Sequence, residues 1–163
     1  GNVIDDWNRK DNHNGEEVKS EIEPQKILGL ADTKEEAKNT GLNIDAQTAR
    51  VPTQYGHLES LRVSFSGEVD VKEVREVMED WRPDEEVQAL PSTADRPLKV
   101  LNRQPGPQED VFDQDGMSVV VGDLRQLDDD RISLFSLSHN LRRGATWTAR
   151  QSMELYLKRK GLI

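Results

Sequence analysis

Cysteine is absent from all 163 residues. Disulfides, thiolate zinc sites and a cysteine nucleophile are therefore excluded from this stretch of chain, and its stability must come from packing. Positive charge is scarce as well: 22 Lys and Arg face 31 Asp and Glu, for a net charge of −9. Nucleic acid and anionic membranes both reward a basic face, so neither is expected as a partner, and an anionic substrate would need a local basic pocket. No apolar run approaches membrane-spanning length, and the N-terminal Gly-Asn-Val-Ile-Asp-Asp lacks the charged-then-apolar pattern of a signal peptide. A cytoplasmic address is the expectation. Gly1 stands where an initiator methionine would, so a longer parent protein is expected too.

Several catalytic signatures are also missing. The three histidines, at 13, 57 and 139, have no metal-ligand spacing, and Asp113-Gln-Asp115-Gly lacks the rest of a calcium loop. There is no P-loop, no Gly-x-Gly-x-x-Gly and no serine nucleophile motif. No resident metal is expected.

What is present is a foldable pattern under an acidic surface. Hydrophobic residues make up 34% of the chain, and apolar runs such as Ser118-Val-Val-Val-Gly122 and Ile132-Ser-Leu-Phe-Ser-Leu137 are long enough for buried strands, so residues 1–163 read as one domain. Val18, Ile22 and Leu28 fall on one helix face within 15–29, stopped by Gly29, with Pro24 implying a kink or a late start. Residues 31–43 read as a loop. Residues 44–51 and 57–66 read as extended, the second as a half-buried strand with Leu61, Val63 and Phe65 on its inner face. Asp70-Val-Lys-Glu73 has capping-box spacing, and Val71, Val74, Met78 and Trp81 form a helical stripe that Pro83 ends. Residues 97–101, 118–124 and 131–138 read as strands, with Asp128-Asp-Asp130 as a turn, residues 103–116 as a plain loop and 144–159 as a final helix. The order predicts an α+β fold with a mixed, mostly antiparallel sheet and its helices on one face.

Three groups of residues could carry chemistry. His57 follows a turn glycine and opens a strand, and Arg50 stands seven residues before it. An imidazole that moves protons near neutral pH beside a guanidinium that grips a carboxylate would make a site, and a turn histidine with a solvated arginine is the other reading. Glu16, Glu17 and Lys19 open a helix, either as ligands for a polar substrate or as ordinary first-turn charges. In Ser138-His139-Asn140 the chain passes from strand to helix, where Asn140 suits a cofactor edge or a helix N-cap.

Taken in order, residues 15–29, Arg50-Val-Pro with Gly56-His57, Gly116-Met-Ser-Val-Val-Val-Gly122, and Ser138-His-Asn140 with Arg143-Gly-Ala145 resemble the C-terminal catalytic and dimerisation domain of aspartate-semialdehyde dehydrogenases of the archaeal and fungal-type branch. The resemblance implies the C-terminal domain fold of glyceraldehyde-3-phosphate-dehydrogenase-like enzymes. It implies NADP-dependent reduction of aspartyl phosphate to aspartate semialdehyde with release of phosphate, in lysine, threonine and methionine biosynthesis, by a homodimer or homotetramer. His57 would then be the acid/base, Arg50 the carboxylate-gripping residue, Glu16 the group facing the substrate ammonium and Lys19 the phosphate-binding residue, with Asn140 near the nicotinamide. The NADP would be held mainly by an N-terminal dinucleotide-binding domain which, like the catalytic cysteine, is absent from this chain, so the isolated chain is expected to be inactive. A related reductase acting on malonyl-CoA or N-acetylglutamyl phosphate, and a non-catalytic dimerisation or regulatory module, are the alternatives. Near Pro107–Asp113 the chain carries acids where the family has an arginine. The final helix is expected to expose an apolar stripe.

Overall fold

The computed structural model describes residues 13–33, 36 and 39–163, and the chain divides into two units, Gly1–Pro52 and Thr53–Ile163.

The first unit is built around α1 (His13–Ile27), with Glu16 in the first turn and Lys26 in the last, signs that suit the helix dipole. The late start that Pro24 implied is not found. The helix passes through Pro24 without its N–H, and the Leu28 N–H bonds the Pro24 carbonyl at 2.9 Å. At the C-terminus Gly29 takes φ +69°, its N–H bonding Lys26 O at 3.0 Å while the Leu30 N–H reaches back to Gln25 O at 2.8 Å. These two bonds make a Schellman stop, which needs the left-handed residue that glycine provides most readily. Leu28 is exposed rather than on the buried face, and Gln25 and Ala31 are buried instead. Of the expected loop 31–43, residues 34, 35, 37 and 38 lie outside the described residues.

The strand expected over 44–51 does not form. Alternate residues Leu42, Ile44, Ala46 and Thr48 are half-buried, so the period of two is real. The backbone donors, however, go to α1 carboxylates: Ala46 N–H to Glu21 at 3.2 Å, and Thr48 N–H and hydroxyl to Glu17 at 3.1 and 2.5 Å. A helix side chain has replaced the neighbouring strand, so no ladder is made.

In the second unit β1 (His57–Ser64) is followed by α2 (Val71–Asp80), the single-turn α3 (Glu85–Gln88), β2 (Leu98–Leu101), a short 3₁₀ turn (Asp113–Gly116), β3 (Val119–Asp128), β4 (Arg131–Ser138), a π-helical turn (Arg142–Thr146) and α4 (Trp147–Arg159). The sheet order is β1-β4-β3-β2, with β1–β4 and β3–β4 antiparallel and β2–β3 parallel. The mixed, mostly antiparallel α+β architecture matches the sequence-based expectation.

One sheet face buries Val121, Ile132 and Leu134 under Val71, Val74 and Met78 of α2. Asp70 starts that helix by accepting the Lys72 N–H at 2.8 Å, and Gln126 of β3 accepts the Val71 N–H at 2.9 Å. The other face buries Val120 and Leu137 with Val111, Tyr55 and Leu101 packed against them. The half-buried β1 was not found: only Val63 is shielded, while Leu58, Leu61 and Phe65 remain 37%, 37% and 39% exposed. Strand β1 is outermost, and α2 packs on β2 and β3 instead.

The segment read as a plain loop, 103–116, is fixed over the sheet. A Cβ at Gly122 would run into the Arg103 carbonyl, so only glycine lets that loop lie flat on β3. Arg103 grips the buried Asp110 through two bonds of 2.7 and 2.9 Å, and the Gly106 N–H adds a third at 2.7 Å. The Arg103 hydrogen bond, against the opposing effect of burial, holds the Asp110 carboxyl below its ordinary value, with help from Gly106. The acids of this segment are thus partnered within the chain itself.

Candidate functional site

In the first unit α1 presents Glu16 and Lys19 one turn apart, on neighbouring positions of one helix surface. Arg50 Nη2 donates to Glu16 Oε1 at 3.1 Å, both side chains being 48% exposed. Lys19 is exposed and has no bonded partner among the described residues. Three of the sequence-predicted residues therefore lie in one unit, two of them in contact as an accessible cation–anion pair.

In the second unit His57 opens β1, its Cα paired with Ser138 at the end of β4, and its side chain is exposed. Gly56 precedes it at φ +98°, where a Cβ would come within 3.0 Å of Leu137 and Val111. The Gly56 N–H donates to Asn140 Oδ1 at 3.1 Å, which joins the predicted His57 and Asn140 through a single residue. Each of the two units holds part of the predicted set.

Asn140 is not the helix cap that one reading made it. His139 instead ties down the turn that leads into the helix, its Nδ1 accepting the N–H groups of Leu141 at 3.2 Å and Arg142 at 3.3 Å. This acceptor geometry places the ring proton of neutral His139 on Nε2. The ring is 2% exposed, lying 5.1 Å from Tyr55 and 5.0 Å from Phe112, with Gly116 leaving the room that a Cβ, at 2.8 Å from His139 Cδ2, would fill. Burial, reinforced by the Arg142 charge, pushes the imidazole below its ordinary value. Sequence reasoning quoted His139 but missed its part. The signal was the strand-end dipeptide itself, whose histidine Nδ1, when unprotonated, can accept from the backbone N–H groups that follow.

Arg142 extends the cluster, its guanidinium 5.3 Å from the Phe112 ring and 5.1 Å from the Trp147 ring, with a 2.6 Å bond to the Asp115 carbonyl. Gln114 and Asp115 both have positive φ at that turn, +48° and +57°. They border an open cavity of about 230 Å³ with Pro91–Asp95, Met117 and Trp147, which includes none of the sequence-predicted residues. Among the described residues no group of three His, Asp or Glu is placed to hold a metal, and no helix is long and apolar enough to cross a membrane.

The final helix packs one side against α3 and its flanks: Glu154 accepts from the Ser92 N–H at 3.0 Å, and Arg159 grips Glu86 at 2.9 Å. Its other side exposes Met153 and Tyr156, at 59% and 57%, as the expected apolar stripe.

Comparison with known proteins accounts for the pattern. Residues 4–143 match the family described as semialdehyde dehydrogenase, dimerisation domain. A malonyl CoA reductase (NADP) of Metallosphaera sedula is 35% identical over 142 residues, covering 82% of this chain and 39% of the relative. An aspartate-semialdehyde dehydrogenase of Archaeoglobus fulgidus is 32% identical over 149 residues, 90% of this chain and 42% of the relative. Among solved structures, aspartate semialdehyde dehydrogenase with NADP from Candida albicans superposes with a TM-score of 0.74 at 27% identity, over 91% of this chain and 44% of that one. The chain spans about two fifths of the length of the curated relatives it matches. It belongs to the semialdehyde dehydrogenase dimerisation-domain family.

Proposed function

We infer that the chain is the substrate-binding and dimerisation half of an NADP-dependent aspartate-semialdehyde dehydrogenase, a single functional domain over residues 1–163. The observation that carries this reading is the Glu16–Arg50 pair. An α-amino acid presents an ammonium and a carboxylate on one carbon, and an exposed carboxylate 3.1 Å from a guanidinium is the complementary arrangement. An exposed pair of this kind is worth about 0–1 kcal/mol, so substrate can open it at little cost. Arg50 takes the substrate carboxylate, Glu16 the ammonium and Lys19 the phosphate, while His57 exchanges a proton with the reacting acyl oxygen. A nucleophilic cysteine must come from outside these residues, since none of the 163 is cysteine.

For the cofactor, the Asn140 oxygen is engaged by Gly56, which leaves Nδ2 to donate and fits a single contact to a carboxamide oxygen. When bound, the nicotinamide supplies or accepts the hydride, and most of its binding is assigned to a dinucleotide domain carried elsewhere. The exposed Leu58, Leu61 and Phe65 on the outer strand suit assembly into a homodimer or homotetramer.

The Metallosphaera sedula relative supports a second reading, malonyl-CoA reduction. Malonyl-CoA has a carboxylate but no ammonium, so it would use Arg50 without needing Glu16. The test is substrate profiling of the enzyme completed with a family dinucleotide half, before and after Glu16→Gln. Turnover of aspartate semialdehyde with phosphate and NADP, with KM for the semialdehyde raised in the variant, supports the first reading. Turnover of malonyl-CoA that survives Glu16→Gln supports the second.

A further inference from the structure

The entry to β1 is held at three points by the segment leaving β4. Ser138 pairs with His57 across the ladder, the Gly56 N–H donates to Asn140 Oδ1 at 3.1 Å, and the Tyr55 ring lies 5.1 Å from the His139 ring at an interplanar angle of 32°. Because an amide N–H only donates, the Asn140 atom that faces it is the oxygen. His139 fixes the far side of Asn140, since its buried ring accepts the next two backbone N–H groups. Gly56 itself sits at φ +98° against Leu137 and Val111. A glycine in that region is free to leave it unless something holds it, and here the holder is a side chain.

From this geometry we propose that Asn140 is a positioning residue for His57, acting through the Gly56 N–H in addition to any contact its Nδ2 makes. The assignment rests on the reading of His57 as the proton-transfer group. His57 is the first residue of an outer strand, paired on one side only, and its side chain is exposed, so the ladder carries its backbone while no core packing orients the imidazole. The clamp from Asn140 and His139 supplies that order, and proton transfer is sensitive to small displacements of the group that performs it.

The test uses Asn140→Ala, which removes the acceptor and the donor, and Asn140→Asp, which keeps an acceptor for Gly56 but has no amide to give a cofactor. In the isolated chain, amide hydrogen exchange should show Gly56 protected in the wild type and in Asn140→Asp, and about five- to tenfold less protected in Asn140→Ala. In the completed enzyme, Asn140→Ala should lower kcat by about the same factor while Asn140→Asp restores it, with a raised KM for NADP in both. A wild-type Gly56 amide that exchanges as fast as an open one overturns the proposal without need of any variant, and so does an Asn140→Ala enzyme changed only in KM for NADP. If the completed wild type has no dehydrogenase activity the functional reading fails, and the Gly56 exchange still decides whether Asn140 holds the strand entry.

Discussion

The described residues of the first unit and those of the second become ordered by different means. In the first unit Gln25 and Ala31 are the buried residues among those described, and a helix holds the chain that returns beside it through carboxylates, Glu17 to Thr48 and Glu21 to Ala46. In the second, a four-stranded sheet buries apolar side chains on both faces, with Leu137 at 0% and Ile132 at 1% exposure. The difference suits the tasks proposed for them. Recognition of a zwitterionic, phosphorylated substrate calls for accessible charges, which a polar unit presents cheaply. A proton-transfer group needs a fixed mount, which a packed sheet with a clamped entry provides.

The sharpest way to break this comparison is to remove His57. In a completed enzyme His57→Ala should lower kcat by about 10²–10⁴-fold, the usual contribution of a positioned acid/base, with stability almost unchanged because the side chain is exposed. Steady-state kinetics and a thermal melt together would check it. Next comes Leu137→Ala, which empties a fully buried site between Val111 and Val120 and should destabilise the second unit by about 2–5 kcal/mol. Thr48→Val in the first unit removes the hydroxyl and should cost about 1 kcal/mol in denaturant unfolding. Equal losses for these two substitutions would remove the distinction drawn between the units.

Acid should expose a further difference. His139 is held below its ordinary value, so the fold favours its neutral form. The contribution is complete above the ordinary histidine value of about 6.5 and declines as the pH falls through and below it. Protonated Nδ1 would present a hydrogen to two N–H groups that need an acceptor. His139→Asn, which offers an oxygen in place of Nδ1 and does not titrate, should flatten the fall of stability between pH 7 and 5 in urea titrations. The smallest effect on folding is expected at Glu16→Gln, within about 0.5 kcal/mol for so exposed a pair, although KM for aspartate semialdehyde should rise.

Much of this architecture was legible in the residues. Strand β4 was read with both ends correct because its apolar run is bounded by an acidic turn and a polar strand end, and Asp70 and Gly29 mark helix limits by their own chemistry. The extended character of 44–51 was equally visible, but it says nothing of what supplies the hydrogen bonds, here Glu17 and Glu21. Likewise the alternation of Leu61, Val63 and Phe65 could not reveal that only Val63 is shielded while Leu61 and Phe65 stay exposed. Of the candidate site, the contact of Glu16 with Arg50 and the link from Asn140 to Gly56 both join residues far apart in sequence, and only the fold shows them. The burial of His139 depends on Tyr55, Phe112 and Gly116, which arrive from two separate loops.

The most direct test of the account is reconstitution. The chain would be fused to, or mixed with, a dinucleotide-binding half that carries the family's cysteine, and NADP reduction would be followed with aspartate semialdehyde and phosphate. The account predicts activity in the wild type that His57→Ala and Arg50→Ala each reduce by at least about tenfold. A reconstituted enzyme that is inactive, or one whose turnover is indifferent to His57, would contradict it.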